Sequence, residues 1–106
     1  MSAWKVELTA AAEREIRSLP KDLQARFLHV AEMLEALGPE RVGAPHVRAL
    51  RDKLWEMRLK GRDGIARVIY FAASGRRLLV VRAFVKKSQK TPLREIDLAL
   101  RRMKEL

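Results

Sequence analysis

Arg58, Lys60, Arg67, Arg82, Lys86 and Lys87 fall in the second half of the chain, on segments with the alternation of β-strands. In Leu54–Lys60, Trp55, Met57 and Leu59 form one set, expected to face helices, while Glu56, Arg58 and Lys60 face out. In the strand Leu78–Val85, Leu79, Val81, Ala83 and Val85 read as the apolar set, leaving Arg82, Phe84 and, just beyond, Lys86 opposite. Arg67 is the one charge between Ile65 and Ala72, and a lone arginine is costly to bury unpaired. It is expected on the open face with the others. Fixed cations of this kind neutralise a phosphate backbone, and arginine does so through two parallel hydrogen bonds. Phe84 adds a stacking platform for an unpaired base, which favours single-stranded RNA over the duplex major groove. Lys87 and Lys90 extend the cluster, with Glu56 nearby.

Each signal has a plainer counterpart. Lys86, Lys87 and Lys90 read equally as a solvated run after a strand, Arg58 and Lys60 as a half-exposed strand, and Phe84 as core if the parity shifts by one. His29 and His46 read as surface or structural residues, and neither is placed at a strand end. No paired histidines, cysteines, glycine-rich phosphate loop or Ser/His/Asp set is present, so no metal and no cofactor is expected.

The charge agrees with the cluster. Residues 1–50 carry seven Lys/Arg and seven Asp/Glu, whereas residues 51–106 carry sixteen and six, so the formal net charge of +10 lies wholly in the second half. Such asymmetry points to nucleic acid, an acidic membrane surface or an acidic protein. No apolar run is long enough to span a bilayer and the first residues lack a signal-peptide pattern, so no membrane association and a cytoplasmic location are expected. The 106 residues suit one domain, 1–106, with one modest core.

The elements that must position these residues follow from periodicity. Trp4–Leu8 alternates as a strand, and Thr9 caps a helix carrying Ala12, Ile16 and Leu19. Pro20 opens a second helix, with Leu23, Phe27, Val30, Leu34 and Leu37 at helical spacing, which Gly38-Pro39 stops. Residues 38–53 read as irregular. Three strands follow as a meander, turning at Gly61–Gly64 and Ala73–Arg76. Thr91 is expected to cap a last helix with Pro92 at its first position. The order β-α-α-β-β-β-α predicts an α+β fold: a small, mostly antiparallel sheet with helices on one face and the other left to water or a partner.

The runs Leu54-Trp55-Glu56-Met57-Arg58-Leu59, Gly64 to Phe71 (with Arg67-Val68-Ile69-Tyr70) and Phe84 to Pro92 (with Lys86-Lys87 and Lys90-Thr91-Pro92) resemble the phage-derived HigB-like branch of the RelE toxin superfamily. The resemblance covers essentially the whole chain and implies a microbial-ribonuclease-like fold. It also implies the toxin of a type II toxin–antitoxin system, a ribosome-dependent mRNA endoribonuclease with a helix-turn-helix antitoxin as partner. Arg67 matches the phosphate-binding strand arginine, Arg58 and Lys60 the basic positions before it, and Lys86 and Lys87 the cluster after the last strand. The implied chemistry is metal-independent attack of the ribose 2′-hydroxyl on the adjacent phosphate, with Glu56 or a lysine as acid or base. A non-catalytic remnant of the fold that binds RNA or antitoxin, and a basic accessory protein, are the competing readings.

Overall fold

The computed structural model describes residues 4–43, 46–86 and 90–106. The elements are β1 (Lys5–Leu8), α1 (Ala10–Arg17), α2 (Lys21–Leu37), β2 (Val47–Ala49), β3 (Leu54–Lys60), β4 (Ile65–Ala73), β5 (Arg77–Lys86) and α3 (Leu93–Lys104). The five strands form one sheet in the order β1-β5-β4-β3-β2. β1 runs parallel to β5 and the other pairs are antiparallel, so the sheet is mixed, within the expected α+β class.

Local chemistry sets the first elements as expected. The Thr9 hydroxyl accepts the Ala12 N–H at 3.1 Å and starts α1. Gly38 ends α2 at φ 85°, a left-handed backbone that glycine adopts without a side-chain clash. Gly61 answers a different need: a Cβ there would stand 2.6 Å from Asp22 Oδ2 and 2.7 Å from Leu23 Cδ2. The β3–β4 turn therefore sits directly on the first turn of α2, where Asp22 Oδ2 accepts the Arg62 N–H at 2.6 Å. That bond, ahead of any desolvation, holds the Asp22 carboxyl below its ordinary range.

β2 lies within the segment expected to be irregular. It is the first arm of a hairpin whose turn places Asp52 and Lys53 at φ 54° and 71°, with Leu54 N–H donating to Arg51 C=O at 3.0 Å. Two left-handed residues make a primed turn, whose usual sequence mark is glycine or asparagine. With lysine in the second place the mark is absent.

The expectation of helices on one face only does not hold. α1 and α2 cover one face, where Ile16, Leu23, Phe27 and Leu34 meet Met57, Leu59, Val68, Tyr70 and Val80. α3 packs on the other, setting Ile96, Ala99, Leu100 and Met103 against Leu54, Ile69 and Val81. The reason is legible in β4, whose consecutive residues Ala66 to Tyr70 are all buried. An unbroken buried run needs cover on both faces. Trp55, expected to face the helices, stays 38% exposed.

A bulge corrects the reading of β5. Ile69 pairs with Arg82 and Tyr70 with Val80, leaving Val81 as an extra residue. Leu78, Val80 and Ala83 thus belong to the α1/α2 core, and Val81 turns to α3. The expected set Leu79, Val81, Ala83 and Val85 is broken by this shift, whereas Arg82, Phe84 and Lys86 keep a common side.

Candidate functional site

The antiparallel register converts separate strand positions into rows across one sheet face. Arg58 pairs with Arg67, and Arg67 with Phe84. Lys60, Ile65 and Lys86 align in the next row. On the other side Arg48, Glu56, Ile69 and Arg82 form a third. Strands lie about 4.8 Å apart, so the residues singled out from the sequence, Arg58, Lys60, Arg67, Phe84 and Lys86 among them, form one patch. It lies on the α3 side of the sheet, with Phe84 packed against the α3 cluster. Lys90 is exposed at the approach to α3, and Lys87 lies outside the described residues.

Within the patch, exposure divides the residues into two groups. Glu56, expected to face out, is wholly buried, and Arg67 is only 4% exposed. Arg67 Nη1 donates to Glu56 Oε1. The same oxygen accepts from Arg48 Nε at 3.0 Å, and Thr91 donates its hydroxyl to Glu56 Oε2. Thr91 therefore does not cap α3, whose N-cap is Pro92 without a side-chain bond. It ties the approach of that helix to the floor of the patch. A buried charge requires partners, and Glu56 and Arg67 supply them to each other. By contrast Arg58 and Lys60 are exposed and Lys86 is half-buried. No carboxylate among the described residues forms an ion pair with any of the three. Desolvation and the nearby guanidinium groups of Arg67 and Arg58 lower the Lys86 ammonium pKa.

Arg82 has a different situation from the one expected of an RNA contact. It donates to Glu95 at 2.6 and 3.1 Å and to Glu15 at 2.6 Å, and its guanidinium lies 5.5 Å from the Phe84 ring centre. Glu95 foremost keeps it protonated. Glu15 also accepts the Ala83 N–H at 3.1 Å, and Arg102 donates to Glu15 at 2.9 Å and to the Val81 carbonyl at 2.8 Å. β1 ends at Leu8, opposite Val80. Beyond it, these side chains satisfy an edge that the sheet leaves open. Burial raises the Glu15 pKa, but Arg102, the Ala83 N–H and Arg82 outweigh it and hold the carboxyl below its ordinary range. Phe84 is half-buried against the α3 core, a compromise between core residue and platform.

His46 is the residue that sequence reasoning missed. Its carbonyl accepts the Arg58 N–H at 2.7 Å, extending the β2–β3 register by one position. It thus stands at a strand end, beside Arg58 in the Arg58–Arg67–Phe84 row. The obscured signal was β2 itself, three residues long and joined by a turn without glycine. Among the described residues no group of His, Asp and Glu converges to hold a metal ion, and no helix is long and apolar enough to cross a membrane.

A mixed five-stranded sheet between two N-terminal helices and a C-terminal helix is the RelE-type fold. The chain superposes on a mutant of the E. coli toxin RelE in the free state with a TM-score of 0.67, over 97% of this chain and 99% of that one, at 17% identity. It superposes on the archaeal RelE–RelB complex from Pyrococcus horikoshii OT3 with a TM-score of 0.59, over 78% and 94%, at 23% identity. Residues 14–104 match the model of the phage-derived protein Gp49-like family, and the chain belongs to that family. No curated protein matches it. The resemblance drawn from the strand motifs is borne out in fold and family.

Proposed function

We propose that this chain is the toxin of a type II toxin–antitoxin pair, an endoribonuclease that cuts mRNA on the ribosome in the cytoplasm. The observation that carries the proposal is the row Arg58–Arg67–Phe84 with Lys86 beside it: Arg58 and Lys86, with no carboxylate ion-paired to either among the described residues, and an aromatic ring stand on rigid strands over the buried Arg67–Glu56 pair. The fold shared with the toxin RelE and with a RelE–RelB complex supports a toxin with an antitoxin partner; the helix-turn-helix type of that partner rests on the resemblance of the strand motifs alone.

The 2′-oxygen of one nucleotide attacks the adjacent phosphorus, the P–O5′ bond breaks, and a cyclic phosphate and a free 5′-hydroxyl result. Arg58 meets the non-bridging oxygens, where negative charge grows in the transition state. Arg67, held beneath by Glu56, contributes positive potential from a fixed position. Lys86, its ammonium pKa lowered, gives a proton to the departing O5′ while the 2′-hydroxyl proton passes to water, and Phe84 stacks on a flanking base. Lys60, Lys87 and Lys90 draw in the backbone. Glu56 is sealed by three partners and serves as the anchor of Arg67 rather than as a base. This leaves a sparse proton-transfer set, which suits an enzyme whose substrate is oriented by the ribosome, since orientation alone supplies several kcal/mol.

The test is induced expression in a bacterium, with growth followed beside 5′-end mapping of cellular mRNAs, for wild type and Arg58→Ala. Growth arrest and new in-frame cuts, both lost in the variant, are expected. A soluble, well-expressed wild type that causes neither would overturn the reading in favour of a non-catalytic remnant of the fold.

A further inference from the structure

Two grooves flank the cationic row, and their charges are disposed differently. The one at the β5 edge, about 380 Å³, holds Arg14, Arg82 and Arg102 together with the carboxylate of Glu15, to which Arg82 and Arg102 are already paired. The one at the β3 edge, about 390 Å³, is lined by Arg26, His46, Arg58 and Lys60. Among the described residues none of these four forms an ion pair. Arg26 comes from α2, on the opposite side of the sheet from α3, so the groove is assembled by tertiary contact. The seat of Gly61 on Asp22 and Leu23 brings α2 to the end of β3, and Arg26 stands one turn further along the helix. Asp22, the acidic residue of that first turn, gives its carboxylate to the N–H groups of Arg62 and Leu23. Converging cations with no ion-paired carboxylate among the described residues repel one another, and a bound polyanion relieves that repulsion.

We infer that the groove lined by Arg26, His46, Arg58 and Lys60 is a phosphate subsite for the same single RNA strand that occupies the Arg67 patch, taking a phosphodiester next to the scissile one. The inference rests on the reading of the patch as an RNA site and adds the direction of the strand. The row His46–Arg58–Arg67–Phe84 crosses three strand spacings, about 14 Å, so the RNA runs across the β-strands from the groove to Phe84. Arg26 and Lys60 hold the outer phosphate, His46 donates a ring N–H to it, and Arg58 is shared between the two phosphates.

The experiment is equilibrium binding of a short single-stranded RNA, with a non-cleavable 2′-methoxy linkage, to the purified full chain over a range of salt concentrations. A hairpin RNA is the second probe. Each phosphate contact on a single strand contributes about 0.7 to the slope of log affinity against log salt. Arg26→Gln and Lys60→Gln are each expected to lower the single-strand slope by about 0.7, and together by about 1.4. Arg94→Gln, removing an exposed charge on α3, is expected to leave it unchanged. Unaltered circular dichroism establishes that the variants fold. If wild type binds and Arg58→Ala weakens it while Arg26→Gln and Lys60→Gln keep the full slope, the subsite is refuted and the patch stands. If wild type binds no RNA even at low salt, the RNA reading falls and the subsite with it. A slope loss confined to the hairpin probe would make the groove a duplex contact and also overturn the inference.

Discussion

Arg67→Ala, the obvious test of the patch, is expected to act first on the fold. Glu56 is wholly buried, and without the guanidinium it keeps Arg48, whose side chain is 55% exposed, and the Thr91 hydroxyl. Removing one member of a buried ion pair destabilises by about 3–5 kcal/mol. The two surviving partners place this case near the lower end, about 3 kcal/mol. In a domain of this size each kcal/mol moves the melting temperature by about 4–8 °C, so Tm should fall by on the order of 12–24 °C. Against a typical total of about 5–15 kcal/mol, the variant is marginal and its inactivity says little about chemistry. Replacing both members, Arg67→Met with Glu56→Leu, removes the uncompensated charge and should return to within about 1 kcal/mol of wild type. That double variant should fold and fail to cleave. Urea denaturation followed by circular dichroism gives the stabilities, and mRNA cleavage gives the activity. An Arg67→Ala chain within about 0.5 kcal/mol of wild type, or a double variant no more stable than the single, would refute the reasoning.

Three other outcomes follow from the packing. Gly61→Ala drives a methyl group into Asp22 and Leu23 and is expected to lose about 1–3 kcal/mol in the same denaturation assay. Lys53→Gly relieves a left-handed lysine at φ 71° in the β2–β3 turn and should raise stability by about 0.5–1 kcal/mol. The Glu15 carboxyl titrates below its ordinary 4.5 in the folded chain, so its stabilisation is complete above that value and fades as pH falls through the folded pKa. Glu15→Gln should therefore be about 2 kcal/mol less stable at pH 6, with the gap closing below pH 4.5, as seen in melting curves across that range. A gap that widens on acidification would contradict the network around Arg82 and Arg102.

The sequence by itself determined the local elements and the gathering of cations. α1, α2, β3 and the common side of Arg82, Phe84 and Lys86 were legible because capping and alternation are decided by neighbours along the chain. What lay outside that reach required contacts between distant segments. The parallel seat of β1, the hairpin turned by Asp52 and Lys53, the bulge at Val81 and the docking of α3 on the second face all depend on which surfaces meet. The same holds for the site. In the sequence Arg58 and Arg82 look alike, each an outward arginine on an alternating strand. Folding places Arg82 between Glu15 and Glu95, so its donors are spent on joining α1, β5 and α3. It places Arg58 beside Arg26, Lys60 and His46 with no carboxylate paired to it among the described residues. A charge is written in the side chain, but whether it meets a counter-charge depends on residues tens of positions away, and that decides which arginine is left to bind a ligand.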